Sequence, residues 1–171
     1  MLGMANSLVA RLGGMVLLAG ALGMFAALSG AASAITAERS ALFGPWLSQK
    51  EKLIVEFYPC GSEVCGRIAW MAKPYRNGAL RRDNQNPDPA LRDRPFCGIE
   101  VIRGLAPDGD GSWTGGKVYD PKRGATYSLE VRQKSADRLE LRAFLGVKFL
   151  GKTEVWTRPD PDHEIACVPV S

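Results

Sequence analysis

The residues best equipped for chemistry lie in one stretch. Asp83-Asn84-Gln85-Asn86-Pro87-Asp88-Pro89-Ala90-Leu91-Arg92 runs on into Arg94-Pro95-Phe96-Cys97-Gly98. Asp and Asn side chains bond their own backbone two residues on, and proline holds the links between them extended. Asp83 or Asp88 can receive Arg92 in a bidentate pair. Such a stretch makes a rigid Ω-type loop that plugs or rims whatever lies beneath it. Alternatively, Asp83, Asn86, Asp88 and Arg92 are the polar contacts of a ligand site. Trp70, Trp113, Tyr119 and Tyr127 would then line its cavity, where otherwise they fill a core.

Other chemistries find less support. Asp108, Asp110 and Ser112 have the spacing of the first three positions of a calcium loop, but Tyr119 stands where the bidentate Glu belongs. Asp-Gly-Asp-Gly is also an ordinary turn, so no metal is expected. The cysteine spacing is not that of a zinc knuckle, and His163 is the one histidine. It sits in the charged segment Asp160-Pro-Asp-His-Glu164, where solvation is the plain expectation and no Ser-His-Asp set forms. A glycosidase-like carboxylate pair, Asp83 with Asp120, is conceivable, yet nothing selects it among 18 acidic residues. No glycine-rich phosphate loop is present, so no cofactor is implied. The balance leans away from an enzyme.

The elements that must position these residues begin after a leader. Arg11 is the one charge before Glu38, an apolar run from Met15 to Leu28 follows it, and Ala32-Ser33-Ala34 offers a cleavage site. Residues 1–34 therefore read as a signal peptide, cleaved near Ala34, and residues 35–171 as a single domain in the periplasm or secreted. An uncleaved anchor over 12–37 is the alternative. Membrane association is expected through this segment alone. The formal charge is +4, with acids and bases mixed along the chain, so no nucleic-acid partner is expected.

All four cysteines fall after the leader, which in an oxidising compartment implies disulfides. Three pairings exist. Cys60 and Cys65 flank a four-residue turn and would face each other across a hairpin, leaving Cys97 for Cys167. The rest of the chain alternates with period two between turn formers. Leu53, Val55 and Phe57 share one face of a strand that pairs with Cys65–Trp70. Tyr127, Leu129 and Val131 share another, and Leu139, Leu141, Ala143 and Leu145 a third. With strands at Trp46, 98–103, 112–119 and 152–158, about eight strands joined by short turns form an antiparallel up-and-down sheet. Closing it into a barrel removes the exposed edges. One segment breaks the meander: the long Pro/Asn-rich loop from Pro74 to Pro95.

Gly44-Pro45-Trp46 opens the first strand and Trp156-Thr157-Arg158 closes the last. This resembles the calycin pattern of lipocalins and fatty-acid-binding proteins. The resemblance implies that Trp46 packs beneath Arg158 and that the pair seals one barrel end. The central loop, together with Cys65-Gly66-Arg67-Ile68 and Val118-Tyr119-Asp120-Pro121, resembles an exported bacterial family catalogued as domain of unknown function 2147, over roughly Leu42 to Arg158. That family supplies no activity, and Cys167 lies beyond the matching region. The reading that follows is a calycin-like barrel binding one small, mostly apolar ligand. The alternative is an envelope structural or interaction protein with a filled barrel, and the third is the carboxylate-dependent hydrolase.

Overall fold

The computed structural model describes residues 41–164 and 167. The expected leader and its expected cleavage site near Ala34 lie outside them. Ten strands appear in order: β1 (Gly44–Leu47), β2 (Leu53–Cys60), β3 (Glu63–Met71), β4 (Tyr75–Arg76), β5 (Ala79–Leu80), β6 (Glu100–Gly109), β7 (Ser112–Asp120), β8 (Ala125–Ser135), β9 (Arg138–Phe144) and β10 (Lys152–Thr157). Eight of them close a barrel in the cyclic order β1-β10-β9-β8-β7-β6-β3-β2, and every neighbouring pair is antiparallel.

The two-residue rhythm builds this barrel by sending one face of each strand inward. Trp46, Val55, Phe57, Ile68, Ile102, Leu105, Trp113, Leu129, Val131, Leu139 and Leu141 form one buried cluster. The packing is close: a Cβ on Gly116 would stand 2.6 Å from Leu105 Cδ2, so the Leu105 side chain occupies the space that a larger residue at 116 would need. The seam between β1 and β10 is the thinnest, with Leu47 opposite Thr157 as its register pair.

The alternation of β9 ends sooner than the apolar pattern implies. Leu145, expected to point inward, lies one residue past the strand and is largely exposed. The reason is local: Gly146 takes a φ of +70° and the chain turns out of the sheet there. The segment from Pro74 to Pro95 is also not structureless. It holds the β4–β5 ribbon, turned by Asn77 (φ +52°) and Gly78 (φ +78°), and a short 3-10 helix over Pro89–Leu91.

The connections sort onto two ends. β2–β3, β6–β7 and β8–β9 turn at one end, where the chain also enters at Gly44 and leaves at Arg158. The connections β1–β2, β3–β6, β7–β8 and β9–β10 lie at the other, here called the loop end.

Candidate functional site

The first end is sealed. Arg158 lies 3.8 Å from the centroid of the Trp46 ring. Its Nη1 donates to Phe43 O (3.0 Å) and Pro45 O (3.1 Å), and its Nη2 to Ala41 O (3.2 Å). Trp46 Nε1 donates to Leu42 O at 2.8 Å. One guanidinium, just past the last strand, thus ties that strand's end to the segment before β1 and to β1 itself at Pro45, beside the thin β1–β10 seam. Burial lowers the Arg158 pKa from its ordinary value.

The loop end is crossed by residues 72–99, pinned at Asp83. This carboxylate is fully buried. Its Oδ2 accepts from Arg94 Nη2 (2.8 Å), Arg94 Nε (3.0 Å) and Asn86 Nδ2 (2.7 Å), and its Oδ1 from Tyr119 OH (2.6 Å). A buried charge needs such partners. Tyr119 stands near the end of β7, so the cluster clamps the loop onto the barrel wall. Burial, followed by the hydrogen bond to Asp83 and that residue's negative charge, pushes the Tyr119 phenol up to about 12. A second clamp is steric: a Cβ on Gly124 would come 1.8 Å from Gln85 O.

The expected partner of Asp83 needs correcting. Arg94, not Arg92, makes the ion pair. Asp83 N donates to Arg94 O at 3.0 Å, and this backbone bond sets the two side chains opposite each other. Arg92 follows the 3-10 helix and turns its Nε back to Asn86 O at 2.8 Å. Asp88 caps that helix, its Oδ1 accepting from Ala90 N at 2.9 Å, while Asn86 Oδ1 accepts from Asp88 N at 2.9 Å. Of the four polar residues singled out, Asp83 and Asn86 are therefore turned inward on the loop itself, whereas Asp88 and Arg92 lie at its exposed surface.

The four aromatics divide as well. Trp113 is fully buried inside the barrel, and among the described residues its Nε1 has no hydrogen-bond partner. Tyr119 is half-buried at the loop end, and Tyr127 is half-buried on β8 opposite Val118. Trp70 does not line the interior. Its ring meets His163 edge-on, with centroids 4.5 Å apart, outside the core cluster. The register shift between Ile54 and Val55 lets Trp70 face the returning C-terminal segment, so His163 is packed and not simply solvated. That segment is held by the Cys97–Cys167 bridge, and Cys60–Cys65 staples the β2–β3 hairpin. An open groove of about 510 Å³ lies beside Cys167, lined by Pro45, Glu56, Arg67, Ile68, Ala69 and Gly98. Its charges are already paired, Arg67 Nη2 with Glu56 Oε2 at 2.8 Å.

Sequence reasoning missed Arg94 as the clamp and the β4–β5 ribbon. The dipeptide Asn77-Gly78 was the available signal for the ribbon, because it favours the left-handed turn found there.

Comparison with known proteins agrees with this architecture. No curated protein matches the chain. Among solved structures, protein HP1028 from the human pathogen Helicobacter pylori, described as belonging to the lipocalin family, is similar. The TM-score is 0.63 and the identity 28%, covering 70% of this chain and 84% of that one. The barrel is lipocalin-like. Residues 44–158, from the glycine that opens β1 to the arginine that seals its end, match the model of an uncharacterized protein conserved in bacteria, DUF2147, and the chain belongs to that family.

Proposed function

We propose that this chain is an exported binding protein that takes one small, mostly apolar molecule into its barrel. The observation that carries the reading is the Trp113 indole N–H, a buried donor with no partner among the described residues, in an apolar interior. Leaving such a donor unmade costs about 1–3 kcal/mol. A ligand acceptor atom reaching the barrel floor would recover that energy, and the apolar wall would contribute by burial. The likeness to a lipocalin-family protein supports the same reading. Asp83, Asn86, Arg94 and Tyr119 hold the loop that covers the entrance, and Trp46 with Arg158 closes the floor. The disulfides fit an extracytoplasmic location, as the leader does.

The test is native mass spectrometry of protein recovered from its own host, set beside the Trp113→Phe variant. A bound mass that weakens about five- to tenfold in the variant is expected, the loss of one hydrogen bond. The second reading, a filled barrel serving as an envelope structural or interaction protein, rests on the close packing around Gly116 and Leu105. It expects no bound mass, and no loss of stability when Trp113→Phe removes the unpaired donor.

A further inference from the structure

Polarity is distributed unevenly between the two barrel ends. The connections at the loop end, residues 48–52, 72–99, 121–124 and 145–151, carry eleven Lys and Arg against four Asp and Glu. The three connections at the sealed end, 61–62, 110–111 and 136–137, carry two Asp and no base. The large exposed apolar residues follow the same division. Tyr75, Leu91, Leu145, Val147, Phe149 and Leu150 all belong to loop-end connections. Four of them share the β9–β10 connection, where Leu145 is 72%, Val147 58%, Phe149 87% and Leu150 73% exposed.

This apolar tip is held in shape. Arg142 Nη2 and Nε donate to Lys148 O at 2.6 and 3.1 Å, and Lys148 Nζ pairs with Glu130 Oε1 at 2.5 Å. The 3-10 turn over Lys148–Leu150 then presents Phe149 and Leu150 outward. Lys148 is spent on Glu130, as Arg94 is on Asp83 and Arg123 on Asp120, but the connections at this end keep a net positive charge. An ordered apolar projection on a net basic end has the two properties that bind an anionic bilayer. Apolar side chains enter the boundary between headgroups and acyl chains, and Lys and Arg meet the negative surface potential. A nucleic acid would use the charge and leave the tip wet, whereas a neutral protein surface would use the tip and leave the charge unpaired.

We propose that the loop end docks on an anionic lipid bilayer, with Phe149 and Leu150 as its inserted residues. This contact is separate from the leader and independent of the small-ligand reading. The experiment is flotation of the protein, as exported by its own host, with vesicles of phosphatidylcholine alone or mixed with phosphatidylglycerol. Binding should require the anionic lipid. Phe149→Ser with Leu150→Ser should weaken it at least tenfold, since each exposed side chain would otherwise bury its apolar area. Lys73→Glu with Arg76→Glu should weaken it about 25-fold or more, at about fivefold for each positive charge removed. All four sites are exposed, so the melting temperature serves as the folding control. As a second readout, the fluorescence of Phe149→Trp should shift to the blue on anionic vesicles and be quenched by brominated lipid. Equal binding to both lipids would overturn the proposal, as would binding that neither double variant changes. So would a dimer in solution that the tip variant dissolves. A missing bound mass in native spectrometry would remove the small-ligand reading and leave this one standing.

Discussion

Replacing Asp83 by Ala tests the clamp most directly. The carboxylate is fully buried and accepts four hydrogen bonds, two of them from one guanidinium. Removing one partner of a buried ion pair costs about 3–5 kcal/mol, because the other charge stays behind uncompensated. Here the Arg94 side chain is 32% exposed, so it rehydrates in part and the lower figure applies, about 3 kcal/mol. At the usual unfolding entropy per residue, that loss lowers the melting temperature by about 10 °C for a domain of this size. Urea unfolding of Asp83→Ala, Arg94→Met and the double variant supplies the assay. The singles should fail to add, with a coupling of about 2 kcal/mol, since each disrupts the same pair. Hydrogen exchange adds a local readout: the Asp83 amide, bonded to Arg94 O, should lose protection before the barrel strands do. A loss under about 1 kcal/mol for Asp83→Ala, or strict additivity with Arg94→Met, would refute the clamp.

Further outcomes follow from the same geometry. Gly124→Ala should cost about 3 kcal/mol or more, because the residue sits at φ +64° and its Cβ would meet the Gln85 carbonyl, and thermal unfolding reads the loss. The raised Tyr119 pKa makes an alkaline signature. Above pH 10 the unfolded phenol ionises while the folded one keeps its proton until about 12, so stability present below 10 falls by about 1–2 kcal/mol across that window. Tyr119→Phe should flatten that decline in urea unfolding measured at several pH values. Arg158→Leu should cost about 2–4 kcal/mol, as three carbonyl bonds and the Trp46 contact are lost together, with early hydrogen exchange along β1 as the local sign.

The sequence made the barrel legible because alternation in β2, β8 and β9 is strong and the turn residues are unambiguous. The floor was legible only through the resemblance to the calycin pattern, which implies Trp46 beneath Arg158; the polarity rhythm alone does not pair them. The sequence did not reveal which arginine meets Asp83. Both Arg92 and Arg94 lie within reach along the chain, and the choice depends on a backbone pairing that local spacing does not encode. Trp70 was misplaced for a related reason: its neighbour, His163, arrives from 93 residues further along the chain. Leu145 shows that an apolar residue can continue a strand's rhythm after the strand has ended, and that such a residue is then exposed to some other environment.

The bridge from Cys97 to Cys167 spans 70 residues and encloses strands β6 to β10. Five of the eight staves therefore belong to a covalent hoop that tension cannot open. A machine pulling this chain from either terminus could extend the remainder, yet the hooped portion would withhold about 240 Å of contour length at roughly 3.4 Å per residue. Threading the whole molecule through a narrow protease entrance would thus require a thiol reductant first. In an oxidising compartment, where disulfides persist, that covalent resistance comes in addition to what the bridge contributes to folding free energy.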